Sequence, residues 1–133
     1  MNTASDRQAI RDTLDRFIER CRARDAAIAE DFAEDALLLG SEADEIVRGR
    51  AAIHAHFATI FRQPYVIKFG FGAVDVTVSG DVGWFHAEGV ARLAQDGRDR
   101  SLPYRLTGVV RRAVSGWHWT LFHGSEPSQG RNG

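Results

Sequence analysis

The stretch VIKFGFGAVDVTVSGDVGWFHAEGVARLAQDGRDRSLPYRLTGVVRRAVSGWHWTLFHGS, residues 66–125, decides the fold. It divides into four β-rich segments, about 66–78, 82–94, 102–114 and 117–125. Between them stand Ser79-Gly80-Asp81, Gln95-Asp96-Gly97-Arg98 and Ser115-Gly116, all hairpin turn signals. Short turns force neighbouring strands to run antiparallel, so this half predicts a long-stranded meander. Gly70, Gly72, Gly83, Gly89 and Gly108 fall inside the segments. Glycines there mark bulges, bends or close approaches, and together they predict a sheet curled around something. Pro103 is expected near a strand start or at an edge.

Upstream the period changes to three and four. Ile10, Leu14, Phe17, Ile18 and Cys21 form one apolar stripe of a helix that Ser5 or Asp6 could cap. Asp25 can cap a shorter helix carrying Ile28 and Phe32. Residues 36–39 read as a short strand stopped by Gly40, residues 41–45 as an acidic loop, and Ile46-Val47 as a second short strand. A third helix is expected over about 50–62, with Ile53, Phe57, Ile60 and Phe61 on one side and Pro64 ending it. Helices first and a meander second is an α+β pattern, with three N-terminal helices packed on a curved antiparallel sheet. One domain is expected over 5–127 and a disordered tail over 128–133.

Composition excludes several classes. The chain has 133 residues, 44% hydrophobic and 26% charged, with a formal charge of −1, and shows neither the basic excess nor the basic face of a nucleic-acid binder. Arg20, Arg22 and Arg24 are interleaved with Asp15, Glu19 and Asp25, which reads as a solvated helix face. Cys21 is the single cysteine, so no internal disulfide forms. It lies in the apolar stripe, as a small buried hydrophobe would. No signal-peptide pattern and no membrane-length apolar run is visible, and a cytoplasmic protein without membrane attachment is expected.

Strand alternation sorts the candidate chemistry. Gly83, Phe85, Ala87, Gly89 and Ala91 share one face of their segment, with Trp84, His86, Glu88 and Arg92 on the other. Tyr104, Leu106, Gly108 and Val110 are expected inward in the next. In the last, strict alternation turns Trp117, Trp119, Leu121 and His123 inward and leaves Phe122 outside with Trp84. His123 is then the candidate acid/base, against a second reading as a structural buried histidine, and Tyr104 the candidate for orienting a ligand. Asp75 and His86 could face each other on the outside. The tryptophans read as ligand-stacking groups or as packing. His54 and His56 are two apart on a helix and point in different directions, so no metal is expected, and no other cofactor.

The order of elements resembles the nuclear-transport-factor-2-like (NTF2-like) superfamily. Residues 31–36 (DFAEDA), 47–53 (VRGRAAI) and 116–125 (GWHWTLFHGS) resemble its SnoaL-like branch. The resemblance implies a cone-shaped fold, an apolar pocket at its mouth and a homodimer through the sheet. The pocket is then expected to be lined by Phe17, Phe57, Phe61, Phe85, Tyr104, Trp119 and His123. The ketosteroid isomerases of the superfamily place a tyrosine donor near Phe17 and a carboxylate base near Gly40, and both groups are missing here. The association hub of calmodulin-dependent kinases has an arginine where this chain has Gly124. The expectation is therefore a domain binding a small, mainly apolar molecule. The alternatives are a cyclase, isomerase or hydrolase using His123, with Tyr104 or the Asp44 loop as helper, and a non-catalytic dimeric assembly module.

Overall fold

A computed structural model describes residues 3–128. Helix α1 spans Thr3–Ala23, a 3-10 helix spans Ala26–Asp31, and α2 spans Arg50–Phe61. The strands are β1 (Phe32–Leu39), β2 (Ile46–Arg48), β3 (Val66–Ser79), β4 (Val82–Gln95), β5 (Arg98–Ala113) and β6 (Gly116–Ser125). They form one six-stranded sheet in the order β2-β1-β6-β5-β4-β3. The fold class is α+β, with three helices against a curved sheet.

The sheet departs from expectation in two ways. It is mixed rather than wholly antiparallel, because β1 runs parallel to β6. It is also open: β2 and β3 are its two edges, and no barrel closes. The meander itself is antiparallel throughout, from β3 to β6. Its turns follow the residues. Asp96 and Gly97 both take positive φ, 51° and 77°, and make a two-residue turn that lets β5 start at Arg98. Pro103 lies within β5, but beyond the last β5–β6 pair, Arg105↔Ser125, so its missing N–H costs no ladder bond on that side.

Local differences have local causes. Helix α1 already includes Thr3, so Asp6 sits in its first turn, where the Arg112 guanidinium grips it at 3.1 and 2.9 Å. Asp25 does cap the middle helix, accepting from the Ala27 N–H at 2.9 Å. That helix is 3-10, and Phe32 belongs to β1, which is eight residues long.

The core fills the concave side. Ile10, Leu14, Phe17 and Cys21 of α1 are buried, with Ile53 and Phe57 of α2 and Phe85, Leu106, Val110, Trp117, Trp119 and Phe122 of the sheet. Trp119 is fully enclosed, 5.7 Å from Phe17 and Phe32 and 5.2 Å from Phe85 between ring centroids. Gly108 makes room for it, since a Cβ there would sit 2.5 Å from Trp119 and 2.8 Å from Phe85.

The last strand overturns the strict alternation. Val109 pairs with Leu121 and Val110 with Trp119, so Thr120 is an extra, bulged residue. Beyond it every side chain changes face. Phe122 and Gly124 are buried; His123 is exposed. No helix among the described residues is long and apolar enough to cross a membrane. The tail expected over 128–133 lies, apart from Ser128, outside the described residues.

Candidate functional site

Between the helices and the far end of the sheet lies a cavity of about 450 Å³, open at one side. Its floor is apolar: Phe17 and Cys21 from α1, Leu38 from β1, Phe57 and Ile60 from α2, and Phe69 and Phe122 from the sheet. The rings touch in sequence. Phe17 lies 5.9 Å from Phe57, 5.7 Å from Phe69 and 4.9 Å from Phe122, and Phe69 lies 5.0 Å from Tyr104. The rim is polar, with Ser41, Glu42, Asp44 and Glu45 on one side, Glu126 beside them and Arg100 from β5. Ser41 Oγ donates to Glu126 Oε2 at 2.7 Å, tying the β1–β2 loop to the chain beyond β6.

One polar constellation stands inside this mouth. His56 Nε2 lies 3.2 Å from Glu45 Oε2, and the two side chains are only 20% and 23% exposed. Both line the cavity. The loop holds Glu45 in place: its Oε1 accepts from the Glu42 N–H at 3.0 Å, its N–H donates to Glu42 O at 3.0 Å, and its carbonyl accepts from Gly40 N–H at 2.9 Å. Helix α2 brings His56 to the same point, with its ring 5.6 Å from Phe57.

Tyr104 is the third polar group. Among the described residues none hydrogen-bonds its hydroxyl, although the ring lines the cavity. Burial, reinforced by the nearby Glu45 carboxylate, pushes its ionisation above the ordinary tyrosine value. It therefore stays a neutral donor at physiological pH. Gly124 lies directly under it, and a Cβ there would run into the Tyr104 hydroxyl. Burial likewise pushes the Cys21 thiol well up, so it lines the floor as an unreactive apolar group.

The expected lining residues divide into three groups. Phe17, Phe57 and Tyr104 line the cavity. Phe61 is half-buried at the end of α2, 5.8 Å from Phe57, while Phe85 and Trp119 are interior residues behind the floor. His123 is on the opposite, outer face, because of the Thr120 bulge, and cannot act in the cone. Asp44 does line the rim, and Phe17 and Gly40, the two positions without isomerase groups, also line the cavity, Phe17 from its floor. His54 points away from His56, beside Ala51, Arg50 and Glu34. Asp75 and His86 are cross-strand partners on the outer face, where His86 Nε2 is 3.7 Å from Glu88 Oε1.

Sequence reasoning missed Glu45 and His56. A signal for His56 existed: Ile53, His56, Phe57 and Ile60 share one helical face, which places this histidine on the apolar stripe. Glu45 carried no such signal, being one of three acids in a loop.

Comparison with known proteins sets this geometry in a family. A model of the SnoaL-like domain matches residues 10–129. No curated protein matches the sequence. Solved structures match over nearly the whole chain. An NTF2-like protein of unknown function from Pseudomonas putida is 22% identical, with a TM-score of 0.83 over 99% of this chain and 93% of that one. An NTF2-like protein from Streptomyces avermitilis, provisionally named a dehydratase, is 18% identical, with a TM-score of 0.85 over 95% and 99%. A protein from Novosphingobium aromaticivorans, provisionally named an aromatic ring hydroxylase, is 24% identical, with a TM-score of 0.85 over 97% and 94%. At these identities the likeness speaks for the fold alone. With the family model spanning almost the whole domain, the chain belongs to the SnoaL-like domain family and has the NTF2-like fold.

Proposed function

We propose that this protein is a cytoplasmic homodimer that binds a small, mainly apolar molecule in the cone. The observation that carries the reading is the cavity: about 450 Å³, floored by Phe17, Phe57, Phe69 and Phe122, with polar groups confined to its mouth. Apolar walls with a few convergent polar groups are the usual make-up of a ligand site of this size. A packed, purely assembling domain has no need of such a space.

The dimer reading rests on the outer face of the sheet. Leu37, Leu121, Val109 and Trp84 are cross-strand neighbours in one row there, and Trp84 is 44% exposed. An apolar row across four strands is the kind of surface a second copy covers. The cytoplasmic assignment is supported by the buried, unpaired Cys21.

Native mass spectrometry of the protein purified from its own host, before and after denaturation, tests the ligand reading. A small molecule released on denaturation is the expected result. An empty protein that also fails to take up any member of a panel of neutral aromatic compounds would overturn it.

A further inference from the structure

The β1–β2 loop, residues 40–45, forms one lip of the cavity and contributes Gly40, Ser41, Glu42, Asp44 and Glu45 to its lining. It is a compact unit on a slender mount. Within it, Gly40 N–H donates to Glu45 O at 2.9 Å, Glu45 N–H to Glu42 O at 3.0 Å and Glu42 N–H to Glu45 Oε1 at 3.0 Å. The strand it leads into, β2, is three residues long and lies at the sheet edge. Among the described residues, two side-chain contacts fasten the loop to other elements. Ser41 Oγ donates to Glu126 Oε2 at 2.7 Å, beyond β6. Glu45 Oε2 stands 3.2 Å from His56 Nε2 on α2. The second tie is a charge pair only while the imidazole is protonated, and histidine is the side chain whose charge changes near neutral pH. At 23% and 20% exposure the two side chains are largely out of water, so their attraction is less screened than on an open surface.

We propose that Glu45 and His56 form a pH-dependent latch on the mouth of the cavity. With His56 protonated, the loop is held against α2 and a bound molecule leaves slowly. With His56 neutral, the lip loosens and release quickens. This rests on the reading of the cone as a ligand pocket. The sign follows from the groups that share the mouth with His56. The loop brings Glu42, Asp44 and Glu45, and the chain beyond β6 brings Glu126. Arg100 and Tyr104 of β5, Cys21 of α1 and Tyr65 ahead of β3 complete the set. Glu45 is the one within ion-pair distance, so the imidazole gains attraction to the loop by gaining charge. Burial pushes the ionisations of Tyr104 and Cys21 up, which keeps both neutral across this range. A change in the hold on the lip near neutral pH is therefore a change at His56.

The test uses N-phenyl-1-naphthylamine, a neutral dye that fluoresces in apolar surroundings, with the full-length protein. Equilibrium titration reads binding. Stopped-flow dilution of the loaded protein reads release, at about pH 5.5 and about pH 8, on either side of the ordinary histidine range. Wild type is expected to release the dye about three- to fivefold more slowly at the acid pH. His56→Gln and Glu45→Gln are each expected to release it at the faster rate at both pH values, with the thermal midpoint retained. Glu45→Gln keeps a side-chain oxygen for the Glu42 N–H, so the turn of the loop remains. Ser41→Ala removes the other tie, and is expected to quicken release at both pH values while leaving their ratio intact. Failure of the dye to bind would overturn the pocket reading, and this one with it. Binding with equal or faster release at the acid pH in wild type, or a pH ratio that survives in His56→Gln, would overturn the latch alone. Should His56→Gln not fold, the pH ratio in Glu45→Gln decides in the same way.

Discussion

Two glycines show how single residues set the interior. Gly108 and Gly124 both lie where a Cβ would collide, but with different neighbours. At Gly108 the neighbours are Trp119 and Phe85, both buried in the core. Gly108→Ala should destabilise the fold by about 1–3 kcal/mol, the usual cost of overpacking, read from the urea midpoint. At Gly124 the neighbour is the outer end of the Tyr104 ring, which can swing aside. Gly124→Ala should leave the urea midpoint within about 1 kcal/mol of wild type while moving the Tyr104 hydroxyl and weakening ligand or probe binding. Equal stability losses at the two sites would contradict this division of roles. Tyr104 was legible from the sequence as an inward polar group, because alternation along β5 is unbroken from Tyr104 to Val110.

At the scale of elements, α1 is fastened to the sheet by its first turn. Arg112 of β5 holds Asp6 with two hydrogen bonds, reaches Asp81 at 3.0 Å and covers the Trp117 ring at 4.5 Å. The hydrogen bond from Arg112 holds the Asp6 carboxyl below the usual carboxylate range, against the opposing effect of burial. A depressed folded-state pKa contributes stability above the unfolded pKa, and that stability is lost as pH falls through the folded value. Asp6→Asn should therefore be less stable than wild type at neutral pH. Its deficit should shrink in acid, in thermal melts taken at falling pH; a constant deficit would show that the charge is irrelevant. The elements themselves were readable because turn chemistry and periodicity agree: Asp96-Gly97 has the residues that positive φ requires, and 10-14-17-21 is a helical stripe. The Thr120 bulge was not. Leu121 and Phe122 are adjacent and both apolar, so polarity could not tell which faced inward.

For the whole molecule the open question is what covers the convex face. The apolar row through Trp84 is flanked by the His86, Thr107 and His123 row and then by Glu88 with Arg105, paired at 2.7 Å. Light scattering is expected to give a dimer over a wide concentration range. Trp84→Arg should shift it to monomer without loss of the melting transition, since Trp84 is 44% exposed and lies outside the buried core cluster. A wild-type monomer at all concentrations would remove the dimer from the account.

The sequence by itself determined the element order, the meander and the apolar character of the floor. Those features follow from period, turn residues and composition, which are local and additive along the chain. Only the tertiary structure decided the parallel β1–β6 pairing, the direction of His123 and the meeting of Glu45 with His56. Each depends on how separate segments come together. One extra residue at Thr120 reverses the faces of everything after it, and a loop carboxylate finds its histidine only when α2 packs beside that loop.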